Sequence, residues 1–319
     1  WWRLGGRSLR SRPVERGATG PLTYAAEVAD LDPRFGLLSV GARLACAGGA
    51  LVEVEVEAVV RTPAPPPTSA AIAELLPPSS RLAGRSAVVV GGSRGLGAAL
   101  ALALAGQGCE VHVGHRGPFP DHLLAEAEES TGALLPARGD AGDPEWGRGM
   151  ARRTGRRVDL LVCSAAPPIR PLDVAAEHLD RFDSFVGAST RLVTAPLAAL
   201  LDPLDRAGGR CLVVSSSALG DPPRDWPHYV TAKAAIEGLV SWAARHHPDV
   251  GFVVARPGML RTEQTNTPGA REGAAPVEPV AAALVRLLLD APIRRGSALV
   301  VDDPAVPPAG QPHPLHQAR

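Results

Sequence analysis

The sequence predicts an α/β chain in which a doubly wound parallel sheet follows a small β-rich segment. Three observations predict it. From Arg85 onward, short apolar runs alternate with runs of helical period. The short runs, such as SAVVV and CLVV, are hydrophobic at consecutive positions, as strands covered on both faces require. Ahead of them, LVEVEVEAVV at 51–60 alternates apolar and acidic residues, the period of a strand with one wet face.

Taken in order, GLLSVGARLACAGG is the candidate antiparallel partner of 51–60, and the two make residues 1–60 a β-rich segment. RTPAPPPTSAAIAELLPPSS opens a Pro/Ala-rich stretch, 61–84, that reads as a linker with one short helical turn. The sheet domain then runs over 85–305. Strands are predicted at 86–92, 109–115, 133–140, 158–165, 211–217, 250–258 and 297–303. Helices are predicted at 96–108, 121–132, 143–155, roughly 172–205, 227–246 and 277–291. The tail, 306–319, is rich in Pro and polar residues and reads as loosely ordered. No internal repeat is visible.

Composition narrows the function classes. With 319 residues, 45% of them hydrophobic, the chain can build one large core and a smaller piece. Its formal charge is zero and its pI about 7.3, so no basic stripe points to nucleic acid. No apolar run reads as long enough to span a bilayer. The cysteines, Cys46, Cys109, Cys163 and Cys211, are far apart and form no metal-ligand spacing. Buried free thiols in a reducing cytoplasm are the expectation. No signal peptide is legible, and the first residue, Trp1, suggests a cut from a longer protein.

Gly91, Gly95 and Gly97 lie in VVVGGSRGLGAAL, which leaves a buried strand and enters an apolar helix. Glycine lets a backbone approach a pyrophosphate, and a helix N-terminus offers unpaired N–H groups. An ordinary tight turn is the plainer alternative. Further on, Tyr229 and Lys233 stand four apart on a predicted helix and share a face. Lys233 is the only lysine in a chain that otherwise uses arginine. Ser216 ends the fifth strand, thirteen residues earlier, at the carboxyl edge where open parallel sheets bind ligands. Together a serine hydroxyl and a tyrosine phenol can hold a developing oxyanion and protonate it. Tyrosine titrates near pH 10 unaided, so a neighbouring ammonium is expected to lower it. A compact lysine suits that role, and a bulky, always-charged arginine does not.

These motifs, G-x-x-x-G-x-G followed by Y-x-x-x-K, resemble the short-chain dehydrogenase/reductase family, with a Rossmann-like fold, over residues 85–303. SRGLG and PGMLRT are similar to its 3-oxoacyl-carrier-protein reductase branch. The resemblance implies Ser216, Tyr229 and Lys233 as the catalytic set. It implies cofactor contacts from Gly91, Ser93, Arg94, Gly95, Leu96, Gly97, Arg116, Asp140, Ala141, Ala165, Tyr229, Lys233, Pro257, Gly258 and Thr262. Within these, Asp140 would meet the adenine amine and Thr262 the nicotinamide carboxamide. An NAD enzyme places a carboxylate after the second strand, whereas this chain has Val113-Gly114-His115-Arg116. Arg116 and Arg94 are placed to meet a 2′-phosphate, so NADP(H) is expected before NAD(H).

Departures from the family pattern are plain. The only Asn is Asn266, in the segment EQTNTPGAREG expected to cover the substrate. The long helix therefore lacks the family's relay Asn and offers Gly187, Ser189 and Thr190, with Ser189 or a water expected to substitute. The family's N-N-A-G reads Cys163-Ser164-Ala165-Ala166, and the Thr before its first glycine is Val90. Residues 22–60 resemble the last strands of a hot-dog fold, without any His for hydratase chemistry. The expected function is an NADPH-dependent ketoreductase, cytoplasmic and homo-oligomeric, acting on a 3-oxoacyl thioester or polyketide-like ketone as a small molecule or carrier-bound. A cofactor-binding scaffold for a dehydratase-like domain and an NAD-dependent alcohol dehydrogenase remain open.

Overall fold

The computed structural model describes residues 9–13, 20–32, 37–46, 49–59, 63–265 and 273–304. Asn266, most of the expected substrate-covering segment and the tail 306–319 lie outside the described residues. The chain divides into two compact units, with the boundary between Pro63 and Ala64.

The front unit is a four-stranded antiparallel sheet of β1 (Leu9–Pro13), β2 (Thr23–Asp32), β3 (Leu37–Cys46) and β4 (Gly49–Val59), in the order β1-β4-β3-β2. β4 pairs with β3 as its alternation predicts. The register sets Tyr24 beside Leu44 and Leu44 beside Val52, and one step on sets Ala26 beside Ala42 and Ala42 beside Val54. Apolar side chains thus share one face of the sheet, the consequence of a period of two.

The second unit holds seven parallel strands: β5 (Ser86–Val90), β6 (Glu110–His115), β7 (Ala133–Arg138), β8 (Leu160–Cys163), β9 (Arg210–Val214), β10 (Gly251–Arg256) and β11 (Leu299–Asp302). Their order is β11-β10-β9-β8-β5-β6-β7. The chain winds outward from β5 to β7, then returns to β8 on the other side of β5. That reversal opens a crevice at the carboxyl ends of β5 and β8. Successive residues explain the two-sided core. Ala87 and Val89 pack with α2 (Gly95–Gly106) and α7 (Val277–Asp290), while Val88 and Val90 pack on the opposite side. That second side is covered by α4 (Pro144–Arg153), α5 (Leu179–Ala207) and α6 (Pro227–His246). Leu96 through Ala105 of α2 are all buried, as a helix apolar on every face must be.

Three expectations about elements change. The stretch read as a linker carries α1 (Ser69–Leu75), whose Ile72, with Leu76 just beyond it, is buried in the core beside α2 and α7. The Thr68 side chain caps it, and Gln107 Nε2 donates to Pro77 O at 3.0 Å, so from Ala64 the chain belongs to the second unit. The helix expected at 121–132 is α3 (Asp121–Ala127), because Thr131 turns away to donate to Ser79 O at 2.9 Å. The long helix begins late: Leu172 N–H bonds Asp225 O at 2.9 Å, a short 3-10 turn spans Ala176–His178, and α5 follows.

The reading that no run could span a bilayer also needs correction. Residues 176–207 are long and apolar enough by length and composition, the one such helix among the described residues. Here Val193, Leu197, Leu200 and Leu204 of α5 pack into the core. All four cysteines are buried free thiols, and burial pushes the Cys109 thiol up to about 12.

Candidate active site

The glycine turn sits where β5 meets the crevice. Gly91 has φ +78°, and a Cβ there would lie 2.8 Å from Ala165 Cα. Ala165 follows β8, so the two strands flanking the crevice touch at backbone distance. Gly95 opens α2 at φ +55°, and a Cβ on it would lie 3.1 Å from Thr262 Cγ2. A Cβ on Gly97 would stand 2.2 Å from Gly91 O. Three residues far apart in sequence, Gly95, Ala165 and Thr262, are thereby drawn around one turn. No side chain caps α2, so its first N–H groups lack helical partners. Bare donors, a positive helix end and absent Cβ atoms fit the diphosphate of a dinucleotide.

Gly97→Ala is therefore expected to destabilise the fold by about 1–3 kcal/mol, the cost of overpacking, and to abolish dinucleotide binding. Thermal melts and a fluorescence titration with NADPH would check both.

The remaining expected cofactor residues spread along this edge. Arg94 is the exposed N-cap of α2, Ser93 precedes it half-buried, and Leu96 turns its side chain into the core. His115, buried, turns its Nδ1 to Gly117 O at 2.7 Å, while Arg116 is exposed. Arg116 borders a cavity of about 300 Å³ shared with Asp140, Gly142, Gly187 and Arg191. Asp140 accepts from Gly142 N–H at 2.8 Å, leaving Asp143 to cap α4. Ala141 is buried beside them. Pro257 O accepts Ser217 N–H at 3.1 Å, and Gly258 follows.

At the exit of β9, Ser216 Oγ accepts Ala218 N–H at 3.2 Å, and its hydroxyl lies near enough to the Tyr229 phenol to favour the ionised form. Lys233 lies one turn beyond Tyr229 on α6, buried, its Nζ 5.6 Å from the Tyr229 ring centroid. Its ammonium donates to Val214 O at 2.7 Å. All three predicted residues meet, yet the electrostatics differ from expectation. Burial holds the Tyr229 phenol above its usual value, and the Ser216 hydroxyl opposes this. Lys233 Nζ stands over the ring and gives a hydrogen bond to a carbonyl. Burial lowers Lys233 itself to about 8, against the Glu237 carboxylate, which raises it.

Sequence reasoning missed Glu237, Ser215 and Arg256. Glu237 accepts from Ser215 Oγ at 2.5 Å and takes both Nε and Nη2 of Arg256 at 2.8 and 2.6 Å. The available signal was its place four residues past Lys233. His228 was also missed: it is buried, 4.5 Å from the Phe185 ring centre, and burial lowers its pKa. Of the three stand-ins for the relay Asn, Thr190 bonds back to Val186 O at 2.9 Å and Gly187 has no side chain. Ser189 Oγ is buried without a hydrogen-bond partner among the described residues.

Comparison with known proteins agrees with this geometry. Residues 85–272 match the family model described as short chain dehydrogenase. A probable oxidoreductase of Streptomyces antibioticus is 33% identical over 179 residues, covering 54% of this chain and 59% of that protein. An alcohol dehydrogenase of the archaeon Thermococcus sibiricus, solved with 5-hydroxy-NADP, is 27% identical with TM-score 0.59, covering 70% of this chain and 98% of that one. A short chain dehydrogenase of Burkholderia cenocepacia, solved with NADP, is 25% identical with TM-score 0.60, over 70% and 99%. With a two-sided parallel sheet, a glycine turn at its switch point and a Ser–Tyr–Lys cluster on its carboxyl edge, the chain belongs to the short-chain dehydrogenase family.

Proposed function

We propose that this chain is an NADPH-dependent ketoreductase acting on a 3-oxoacyl thioester or polyketide-like ketone. The observation that carries the reading is that Ser216, Tyr229 and the buried Lys233 meet at the sheet edge that bears the glycine turn. NADPH, when bound, supplies the hydride. Ser216 holds the carbonyl oxygen, and Tyr229 delivers the proton that turns the alkoxide into an alcohol. Lys233 keeps positive charge under the phenol and, held by Val214 O, turns its remaining N–H donors to the ribose hydroxyls. A phenol held above its ordinary value stays protonated at neutral pH, which suits an acid working in the reductive direction.

Arg116, exposed after β6 where no carboxylate stands, supports NADP over NAD, and two solved relatives hold an NADP-type ligand. Arg116→Asp is expected to weaken NADPH binding by about tenfold or more, the worth of one charge-assisted hydrogen bond of about 1.5–3 kcal/mol, and to change NADH binding far less. Paired affinity measurements would check this. The front sheet is read as the remainder of a dehydratase-like domain, supported by the antiparallel meander of its long strands β2, β3 and β4.

The deciding experiment is NADPH consumption against a panel of 3-oxoacyl thioesters and simple ketones. Turnover sustains the reading. Tight NADPH binding with no turnover on any of them replaces it with a cofactor-binding scaffold.

A further inference from the structure

Three consecutive residues at the end of β9 hold three residues of one α6 face. Val214 O receives Lys233 Nζ at 2.7 Å, Ser215 Oγ donates to Glu237 at 2.5 Å, and Ser216 faces Tyr229. Tyr229, Lys233 and Glu237 are spaced four apart, so each rung is one helical turn from the next. The third rung is fastened from a second strand. Arg256, the last residue of β10, grips both carboxylate oxygens of Glu237 and reaches Asp302 of β11 at 3.4 Å. Ser215 N–H in turn donates to Ala255 O at 2.7 Å. Glu237, largely buried, is thus the point where α6, β9 and β10 are tied together.

We infer that Glu237 is a positioning residue for the reaction: it fixes the Val214–Ser215 peptide and, through it, the place and charge of Lys233. The inference rests on the ketoreductase reading for its catalytic consequence alone. Two effects follow from the geometry. Ser215 hangs on Glu237, and the carbonyl on the other side of that peptide is the one Lys233 uses. Glu237 is also the anion that opposes the desolvation of Lys233, with Arg256 on β10 as the facing cation and Tyr229 as the facing phenol. Without the carboxylate, Arg256 would keep only its contact with Asp302, and Lys233 would lose the anion that opposes its burial.

The test exploits the solitary lysine. Lysine-selective ¹⁵N labelling gives one side-chain amine signal, which can be followed against pH in the full chain. Glu237→Gln is expected to lower the Lys233 midpoint by about one pH unit. The alkaline limb of kcat should move with it, and kcat at pH 8 should fall about fivefold. Glu237→Asp should restore the midpoint. Ser215→Ala, which spares the Arg256 pair, should lower kcat several-fold with little change in that midpoint. A folded Glu237→Gln protein with the wild-type midpoint and wild-type kcat profile overturns the inference. Should Glu237→Gln not fold, an unchanged kcat in Ser215→Ala overturns it equally. If the wild type reduces no ketone but its lysine midpoint still moves in Glu237→Gln, the ketoreductase reading fails and the positioning role stands.

Discussion

Tyr229→Phe is expected to lower kcat by about 10²–10⁴-fold, the usual contribution of a positioned general acid, while NADPH still binds. The substitution removes one oxygen and leaves the ring against Trp226, whose ring centre lies 6.0 Å away. Packing therefore survives, and the melting temperature should stay close to wild type. Ser216 retains the Ala218 N–H contact. Steady-state kinetics beside an NADPH titration separate the outcomes. A variant that keeps full turnover would remove Tyr229 from the chemistry and leave the fold assignment untouched.

The second large effect is at Lys233, and it has two signs. Lys233→Met should abolish measurable turnover and raise the stability of the fold. The folded pKa of about 8 lies below the ordinary lysine value of 10.5. Below about pH 8 the native state therefore holds a charge that the unfolded chain solvates more cheaply. Lowering the pKa in the folded state means that the unfolded chain binds more protons between about 8 and 10.5, so stability rises with pH across that window. The gap corresponds to about 3 kcal/mol below pH 8, offset by about 1 kcal/mol for the lost bond to Val214 O. Methionine matches the length of lysine and packs in apolar surroundings. Melting curves should show Lys233→Met ahead of wild type at pH 7, with the difference shrinking toward pH 10. Equal melting temperatures at both pH values would refute the claim that the ammonium is held at a cost.

Much of the second unit was legible because its signals are local. The helix at 227–246 and the glycine turn follow from periodicity and residue type within one short window. α1 was legible only as a short helical turn in a spacer, since seven residues flanked by prolines show no core until Ile72 and Leu76 find theirs. β2 was obscured by Ala25, Ala26 and Ala29, residues that favour helix in isolation. The site divides along the same line. Y-x-x-x-K is a single-helix spacing, whereas the Glu237 tie joins residues 22 and 19 positions apart and depends on β9 and β10 being neighbours. No pattern in one segment can express that adjacency. The direction of Lys233 Nζ, toward Val214 O, is likewise a property of the assembled crevice.

The same burial of Lys233 has a bearing on how the protein meets reactive acyl donors. Activated thioesters acylate exposed amines spontaneously, and this chain carries its one side-chain amine at 7% exposure. Arginines, which resist such acylation at neutral pH, cover the surface instead. Amine-directed reagents should therefore leave the side chains of the native protein unmodified and mark Lys233 only after unfolding.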